Sequence, residues 1–250
     1  MTSASPAPTV VLVHGAFADG SSWNGVIERL NQSGVAVTAV ANPLRGISID
    51  SAYVAGVFEQ IPGPVVAVGH SYGGAVITNA ATEAENVVGL VFVAAFAPEE
   101  GERLGEVSAT SKDSVLGTVL VPHRYPSADG GEAAVEFTID PAGLRDAFAA
   151  DLPPAQAVLL AATQRPVAEL AFNEPNGAPA WKRLPSWAVV ATADKAAGTD
   201  ITRWMAERAG AAVTDVDASH VVMVSQPEAV TDVILQAVTA ARTAETELVR

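Results

Sequence analysis

Short apolar runs recur along this chain, and most are followed by a segment with helical periodicity. Runs of this length, rich in Val and apolar throughout, indicate strands that are buried on both faces of a sheet. Helices between consecutive strands favour a mostly parallel sheet with helices on both faces, so the pattern predicts an α/β fold. The predicted strands are residues 9–13, 35–40, 65–68, 87–94, 187–191 and 212–216, and the clearest helices are 48–61, 201–209 and 227–241.

The alternation stops between residues 99 and 184. This segment mixes Pro, Gly and acidic turns with short helical patterns, such as residues 142–150 and 154–163. We expect residues 1–98 and 185–250 to form one core domain and residues 99–184 to form an inserted helical cap. Ligands bind beyond the carboxyl ends of the strands in such sheets, so the loops there carry the candidate functional residues.

Composition excludes several classes of function. The formal net charge of −14 over 250 residues argues against binding to nucleic acid, because that requires clustered Lys and Arg. The absence of Cys excludes disulfides and thiolate catalysis. The polar lead-in at residues 2–8 lacks the pattern of a secretory signal, and no apolar run approaches the roughly 18 residues that span a bilayer. We therefore expect a soluble, cytoplasmic protein without a membrane partner, and leave a homodimer open.

The strongest local motif is Gly-His-Ser-Tyr-Gly-Gly at residues 69–74, which stands between a predicted strand and a predicted helix. In this context the pattern G-x-S-x-G places the serine on a tight strand-to-helix turn, with its hydroxyl exposed above the sheet. We therefore predict that Ser71 is a nucleophile. The alternative interpretation is a glycine-rich turn in which Ser71 only caps the helix.

A serine nucleophile needs a base, and the chain has only four histidines. His220 follows the last strand, in a loop that returns over the carboxyl edge of the sheet, and we predict that it is the base. His70 lies inside the motif and points away from its neighbour, His14 is expected to shape the loop after the first strand, and His123 lies in the cap.

The third member must accept a hydrogen bond from the imidazole. Asp194 lies just beyond the strand at residues 187–191, and the chain order of nucleophile, acid and base is the one expected of this arrangement. Four other carboxylates are possible in sequence terms: Asp200, Asp217, Glu99 and Glu100.

Acyl transfer also requires hydrogen-bond donors for the developing oxyanion. The backbone amides of Tyr72 and Ala16 are the candidates, the second from the tetrad His-Gly-Ala-Phe at residues 14–17. A phosphate-binding interpretation of residues 15–22 fails because Ser21 stands where the required lysine would be. No metal-ligand spacing is present either, so we expect no cofactor and no metal.

Three motifs together resemble a known family: Val-His-Gly-Ala-Phe at 13–17, the serine motif at 69–74 and Ala-Ser-His at 218–220. The chain resembles small α/β-hydrolases, in a bacterial esterase-like branch related to plant methyl-ester esterases and hydroxynitrile lyases. Residues 91–98, 162–166 and 205–210 support that branch. The resemblance implies an α/β-hydrolase fold with a Ser71–His220–Asp194 triad.

Two positions separate esterase from lyase within this group. Hydroxynitrile lyases typically have a threonine after the first-strand histidine and a lysine after the catalytic histidine, where this chain has Gly15 and Val221. The resemblance is therefore closer to the esterases. One departure lies after the acid, where residues 195–199 lack the usual apolar residue and proline, so we expect a more mobile loop there.

These observations predict a cofactor-independent hydrolase that acts with water on a small, largely apolar carboxylic ester or lactone. Apolar cap residues are candidates for a lid over a small pocket, but plain core packing is the favoured interpretation for most of them. Residues 221–223, beside His220, are candidates for the pocket lining, and packing explains them equally well. Other chemistry of the fold (a hydroxynitrile lyase, a perhydrolase or a carbon–carbon hydrolase) and a receptor-like protein without turnover stay open. The candidate lid residues are Phe137, Phe148, Leu159, Phe172 and Trp181.

Overall fold

A six-stranded, wholly parallel sheet forms the centre of the computed structural model, which describes residues 7–126 and 131–248, and their side chains as far as residue 244. Most of the polar lead-in therefore lies outside the described residues. The strand order is β2-β1-β3-β4-β8-β9. The strands are β1 (Thr9–Val13), β2 (Val37–Val40), β3 (Val65–His70), β4 (Val87–Val93), β8 (Ser186–Ala191) and β9 (Ala212–Val216).

Helices flank this sheet: α1 (Asn24–Gln32) packs against α10 (Pro227–Leu248), and α2 (Ile47–Glu59) packs against α3 (Tyr72–Ala80). No helix within the described part of the chain has the length and apolarity needed to cross a membrane. The helices of this layer are α1 (Asn24–Gln32), α2 (Ile47–Glu59), α3 (Tyr72–Ala80), α8 (Thr199–Arg208), α9 (Val222–Ser225) and α10 (Pro227–Leu248).

The predicted parallel sheet is confirmed, and the apolar runs of its inner strands β1, β3, β4 and β8 are buried on both faces. The side chains of Val10, Leu12, Val66 and Val68 are fully buried. Strand boundaries differ from the prediction by at most two residues: β3 ends at His70 rather than at residue 68, and β2 begins at Val37 rather than at residue 35. The amide of Val35 instead donates to Leu30 O, which closes the end of α1 before the strand starts.

The strand order reverses direction at the centre of the sheet. The chain passes from β1 to its neighbour β2 on one side, whereas it passes from β3 to β4 on the other. The loops after β1 and β3 therefore leave in opposite directions and open a crevice at the carboxyl edge, where ligands bind in parallel sheets.

The segment between β4 and β8 contains strands as well as helices. Three of its strands form a second, antiparallel sheet in the order β5-β6-β7. The sequence analysis anticipated α5 and α6 but missed these strands, because their residues are mostly half-buried and form no continuous apolar run. The elements are α4 (Leu104–Ser108), β5 (Leu120–Tyr125), β6 (Ala134–Ile139), α5 (Pro141–Phe148), α6 (Pro154–Thr163), β7 (Val167–Ala168) and α7 (Leu170–Asn173).

Candidate active site

Ser71 occupies the turn between β3 and α3 in a strained backbone conformation, with φ 53° and ψ −122°. Neighbouring backbone passes so close that two flanking positions accept only glycine. A Cβ on Gly69 would lie 2.4 Å from Gly73 O, and a Cβ on Gly73 would lie 2.4 Å from Val13 O. Strain of this kind persists only where surrounding structure enforces it, and it holds a serine above the sheet in this motif.

His220 and Asp194 form a buried pair beside this turn. Nδ1 of His220 lies 2.8 Å from Oδ2 of Asp194, and both residues are 1% exposed. The second carboxylate oxygen of Asp194 accepts hydrogen bonds from the amides of Ala196 (2.8 Å) and Ala197 (3.1 Å). The backbone of the loop after β8 therefore fixes the carboxylate that faces the imidazole.

The other carboxylates weighed in the sequence analysis lie elsewhere. Asp200 accepts a hydrogen bond from Ser111 in the segment between β4 and β8. Glu99 forms an ion pair with Lys182 at 2.5 Å, and Asp217 is exposed, as is Glu100.

Ser71 and His220 both line a cavity of about 430 Å³ at the carboxyl edge of the sheet. No hydrogen bond between Ser71 Oγ and the His220 ring is present among those of the described residues. The two residues are related by lining the same cavity. Most of the remaining lining is apolar, and its larger apolar side chains are Phe17, Phe96, Leu116, Leu120, Phe137, Phe148 and Phe172. Of the described lining residues, none is Lys or Arg, and Glu169 is the only carboxylate.

His70 connects the serine turn to the loop that carries His220. Its Nε2 lies 3.0 Å from His220 O, so the neutral ring donates this hydrogen bond. Burial, followed by the nearby His220, holds the pKa of His70 well below its ordinary value. The sequence predicted that this side chain points away from the nucleophile but gave no signal for its bond to the backbone of residue 220.

The loop after β1 is fixed through His14. Its Nδ1 donates to Gly15 O at 2.9 Å, and its Nε2 accepts the Asn42 amide at 3.1 Å. Arg165 Nη1 donates to Asn42 O at 2.9 Å and reaches this cluster from the segment between β4 and β8. Burial is the main reason that the pKa of His14 falls to about 4, so the ring is neutral.

The bond from His14 also orients the next amide. The C=O and N–H of a trans peptide point in opposite directions, and the described chain contains no cis peptide. Because Gly15 O faces His14, the Ala16 N–H faces the other way. Ala16 lines the cavity, as Ser71 does. Asn42 and Arg165 were not found from the sequence, since their contact with His14 is long-range.

Tyr72, whose amide begins α3, is anchored at its other end. Its hydroxyl donates to Asp50 Oδ2 at 2.8 Å, and the same carboxylate accepts the Arg45 amide. Burial raises the pKa of Asp50, and burial together with the Asp50 charge raises the pKa of Tyr72 well above 10. This bond fixes the position of the residue that follows Ser71.

Comparison with sequence models of protein families identifies the family of this chain. A sequence model described as the alpha/beta hydrolase family matches residues 10–233. The chain belongs to the alpha/beta hydrolase family. The family predicted from the motifs is therefore confirmed, whereas a search of curated proteins found no match.

Several solved structures share this alpha/beta-hydrolase fold at low sequence identity. Polyneuridine aldehyde esterase has a TM-score of 0.76 and 22% identity, covering 92% of this chain and 99% of that one. A pyrethroid hydrolase from Sphingobium faniae JZ-2 has a TM-score of 0.74 and 21% identity, covering 93% and 98%. Tomato methylketone synthase I, complexed with 2-tridecanone, has a TM-score of 0.77 and 20% identity, covering 94% and 99%.

In this member of the alpha/beta hydrolase family, the apolar residues expected near the site divide into two groups. Phe137, Phe148 and Phe172 line the cavity, whereas Leu159 is exposed and Trp181 is buried with its Nε1 donating to Pro98 O at 3.0 Å. Residues 221–223 are buried in the core and do not line the cavity.

The remaining predicted features lie apart from the cavity. His123 is exposed on β5 and contacts Thr138 at 2.8 Å. Within the described ranges, no group of three or more His, Cys, Asp or Glu side chains converges in a way that could hold a metal ion. Among the described residues, the titratable side chains that line the cavity belong to His220 and Glu169. Asp194 is hydrogen-bonded to His220 and does not itself line the cavity.

Proposed function

We propose that this chain is a carboxylic-ester hydrolase in which Ser71 is the nucleophile, His220 the general base and Asp194 the acid that orients it. The observation that carries the proposal is the buried Asp194–His220 hydrogen bond behind a cavity that Ser71 also lines. The family supports it, since a serine on this turn with a histidine and an acid is the arrangement used for acyl transfer.

In the first half of the reaction, Ser71 Oγ attacks the carbonyl carbon of the ester while Nε2 of His220 takes the hydroxyl proton. The carbonyl oxygen of the ester becomes an oxyanion, which accepts hydrogen bonds from the Ala16 and Tyr72 amides. Asp194 stabilises the imidazolium through Nδ1. The tetrahedral intermediate collapses, His220 gives its proton to the leaving alkoxide, and the acyl group stays on Ser71 as an ester.

In the second half, water enters the position that the alcohol vacated. His220 removes a proton from the water as the remaining hydroxide attacks the acyl carbon, and the same two amides hold the second oxyanion. Collapse returns the proton from His220 to Ser71 Oγ and releases the carboxylic acid, which ionises in solution. No cofactor is consumed, and the only partners are the ester and water.

The lining of the cavity supports a small, uncharged ester or lactone with an apolar part. A pocket of about 430 Å³ lies at the lower end of the range for small-molecule sites. The aromatic side chains favour an apolar acyl or alcohol group, and no lysine or arginine among the described lining residues would pair with a carboxylate on the substrate. Phe137, Phe148 and Phe172 belong to residues 99–184, which we propose act as a cap over the site.

The test is covalent labelling by a fluorophosphonate, read by intact mass, beside hydrolysis of short-chain nitrophenyl esters. We expect one adduct on the native chain and ester turnover, and loss of both in Ser71→Ala. Ser108→Ala is the matched control, because Ser108 also lines the cavity, and it should keep both.

Two outcomes would contradict the proposal in different ways. Labelling without ester turnover would favour another chemistry of the fold or a receptor. An absence of labelling on the native chain would mean that Ser71 is not activated, and the proposal would fail.

A further inference from the structure

The loop that carries Asp194 is hydrogen-bonded to the segment that covers the cavity. Val115 N donates to Lys195 O at 2.8 Å, and Ser114 Oγ donates to Ala196 O at 2.5 Å. Residues 111–115 and 195–200 therefore lie side by side, and we call this pair of segments the acid-loop clasp.

Asp200 is the centre of the clasp. Its Oδ1 accepts Ser111 Oγ at 2.6 Å, and its Oδ2 accepts the Lys112 amide at 2.8 Å. In the other direction, the amide of Asp200 donates to Asp113 Oδ2 at 3.0 Å. Both carboxylate oxygens of Asp200 therefore accept hydrogen bonds from the covering segment, and the backbone amide of Asp200 donates one to Asp113 of the same segment.

The conformation of the acid loop depends on these contacts. No proline restricts the backbone of this loop at residues 195–199. The loop instead turns at Gly198, whose φ is +92° and whose built Cβ would collide with Ser111 Oγ. Contact with the covering segment therefore takes the place of local stiffness in the loop.

The same loop supplies the amides that hold the Asp194 carboxylate, those of Ala196 and Ala197. Both residues line the cavity, and so do Ser111 and Ser114 on the other side of the clasp. A shift of this loop would move the carboxylate away from His220 and would also change one wall of the cavity.

We propose that Asp200 is a positioning residue: its bonds to Ser111 and Lys112 fix the loop that orients Asp194, so that the covering segment and the triad are held in place together. This inference rests on the proposed function for its kinetic consequence, but its structural part, the order of the Asp194–His220 hydrogen bond, can be measured without any ester.

The first test is therefore spectroscopic. A proton NMR spectrum of the native chain should show a downfield imidazole N–H signal from His220 Nδ1, identified by its loss in Asp194→Asn. Asp200→Ala should broaden or remove this signal. The matched control is Asp215→Ala, which removes a carboxylate bonded to Arg203 on the same helix as Asp200 but away from the clasp, and it should leave the signal intact.

The second test is a double-mutant cycle in ester hydrolysis. Asp200→Ala should lower kcat by about 10- to 100-fold, as expected when a catalytic group is slightly misplaced. In an Asp194→Asn background the same change should cost almost nothing further, because the group that Asp200 positions is already gone. Asp200→Asn keeps one acceptor oxygen and should have an intermediate effect.

Each result bears on one proposal. An unchanged His220 signal in Asp200→Ala would overturn the positioning role, whether or not the chain hydrolyses esters. Additive losses in the double-mutant cycle would also overturn it, because they mean that Asp200 acts independently of Asp194. Failure of the native chain to hydrolyse esters would instead count against the proposed function, and the NMR comparison would still decide the role of Asp200.

Discussion

The histidines of this chain differ in what surrounds each imidazole, and the surroundings determine what each ring can do. His14 and His70 are completely buried, and each donates a hydrogen bond to a backbone carbonyl. His220 faces a carboxylate and a cavity. His123 is exposed. The first two rings are structural, and the fold tolerates them only in the neutral form.

This neutrality predicts an acid-dependent loss of stability. The pKa of His14 is about 4 in the folded chain against 6.5 for an ordinary histidine. Between these values the unfolded chain binds a proton that the folded chain excludes, so the contribution of His14 is complete above pH 6.5 and is lost as the pH falls toward 4. Between pH 7 and pH 5 this one residue should cost about 2 kcal/mol.

Urea unfolding at the two pH values, at constant ionic strength, measures this loss. His14→Gln cannot take up the proton, so its free energy of unfolding should fall less between pH 7 and pH 5 than that of the native chain. Identical pH dependence in the two proteins would contradict the assignment of His14 as a buried neutral ring.

Residue types and order were enough to predict the individual candidates Ser71, Asp194 and His220, and those roles stay predictions. The supporting contacts were beyond the sequence. Arg165 reaches Asn42 across 123 positions, and Ser111 reaches Asp200 across 89. Such pairs form no local pattern, because the fold alone brings them together.

At the scale of elements, the close approach of α3 to β1 leaves no room for a side chain at Gly73. The start of α3 lies against the end of β1, so Gly73 has backbone of Val13 and His14 where a side chain would be. The interior of α2 offers a contrast, since a Cβ on Gly56 would have no neighbour within 4 Å.

The two glycines should respond in opposite directions to the same change. Gly73→Ala forces backbone apart and should lower the free energy of unfolding by about 2 to 3 kcal/mol. Gly56→Ala adds a methyl group in open space within a helix and should raise it by about 0.5 to 1 kcal/mol. Urea titration of both variants measures this difference. Equal effects would mean that the approach of β1 and α3 is looser than described.

Four strands of the parallel sheet (β1, β3, β4 and β8) could be predicted because they are buried on both faces and form continuous apolar runs. The antiparallel sheet could not be predicted in the same way. β5 includes Pro122, His123 and Arg124, and most of β6 is half-buried. When both faces of a strand are partly exposed, its apolar residues form neither a continuous run nor a regular alternation with polar residues.

At the scale of the whole molecule, the negative net charge of the chain should disfavour anionic ligands. The chain has a formal net charge of −14, and Glu169 is the only carboxylate among the described residues that line the cavity. A substrate that carries a carboxylate should meet repulsion both at a distance and inside the pocket, where the lower dielectric strengthens it.

We therefore expect the nitrophenyl half-ester of glutaric acid to have a kcat/KM at least about 10-fold lower than nitrophenyl butyrate, equivalent to about 1.4 kcal/mol. Glu169→Gln should narrow this gap several-fold. Glu228→Gln is the control, because it removes the same charge from the exposed surface of α10. It changes the overall charge but not the charge in the pocket, so it should leave the ratio of the two kcat/KM values nearly unchanged. Equal rates for the two esters in the native chain would contradict the electrostatic argument.

The hydrogen bond from Trp181 to Pro98 has an evolutionary consequence. It joins the point where the chain leaves β4 to the stretch just before β8, so the long excursion between them starts and finishes at nearly the same place. An excursion anchored in this way can lengthen, shorten or be exchanged for another without moving either strand. We therefore expect substrate specificity to diverge in evolution by changes to the segment between β4 and β8, while the strands and the serine turn stay unaltered.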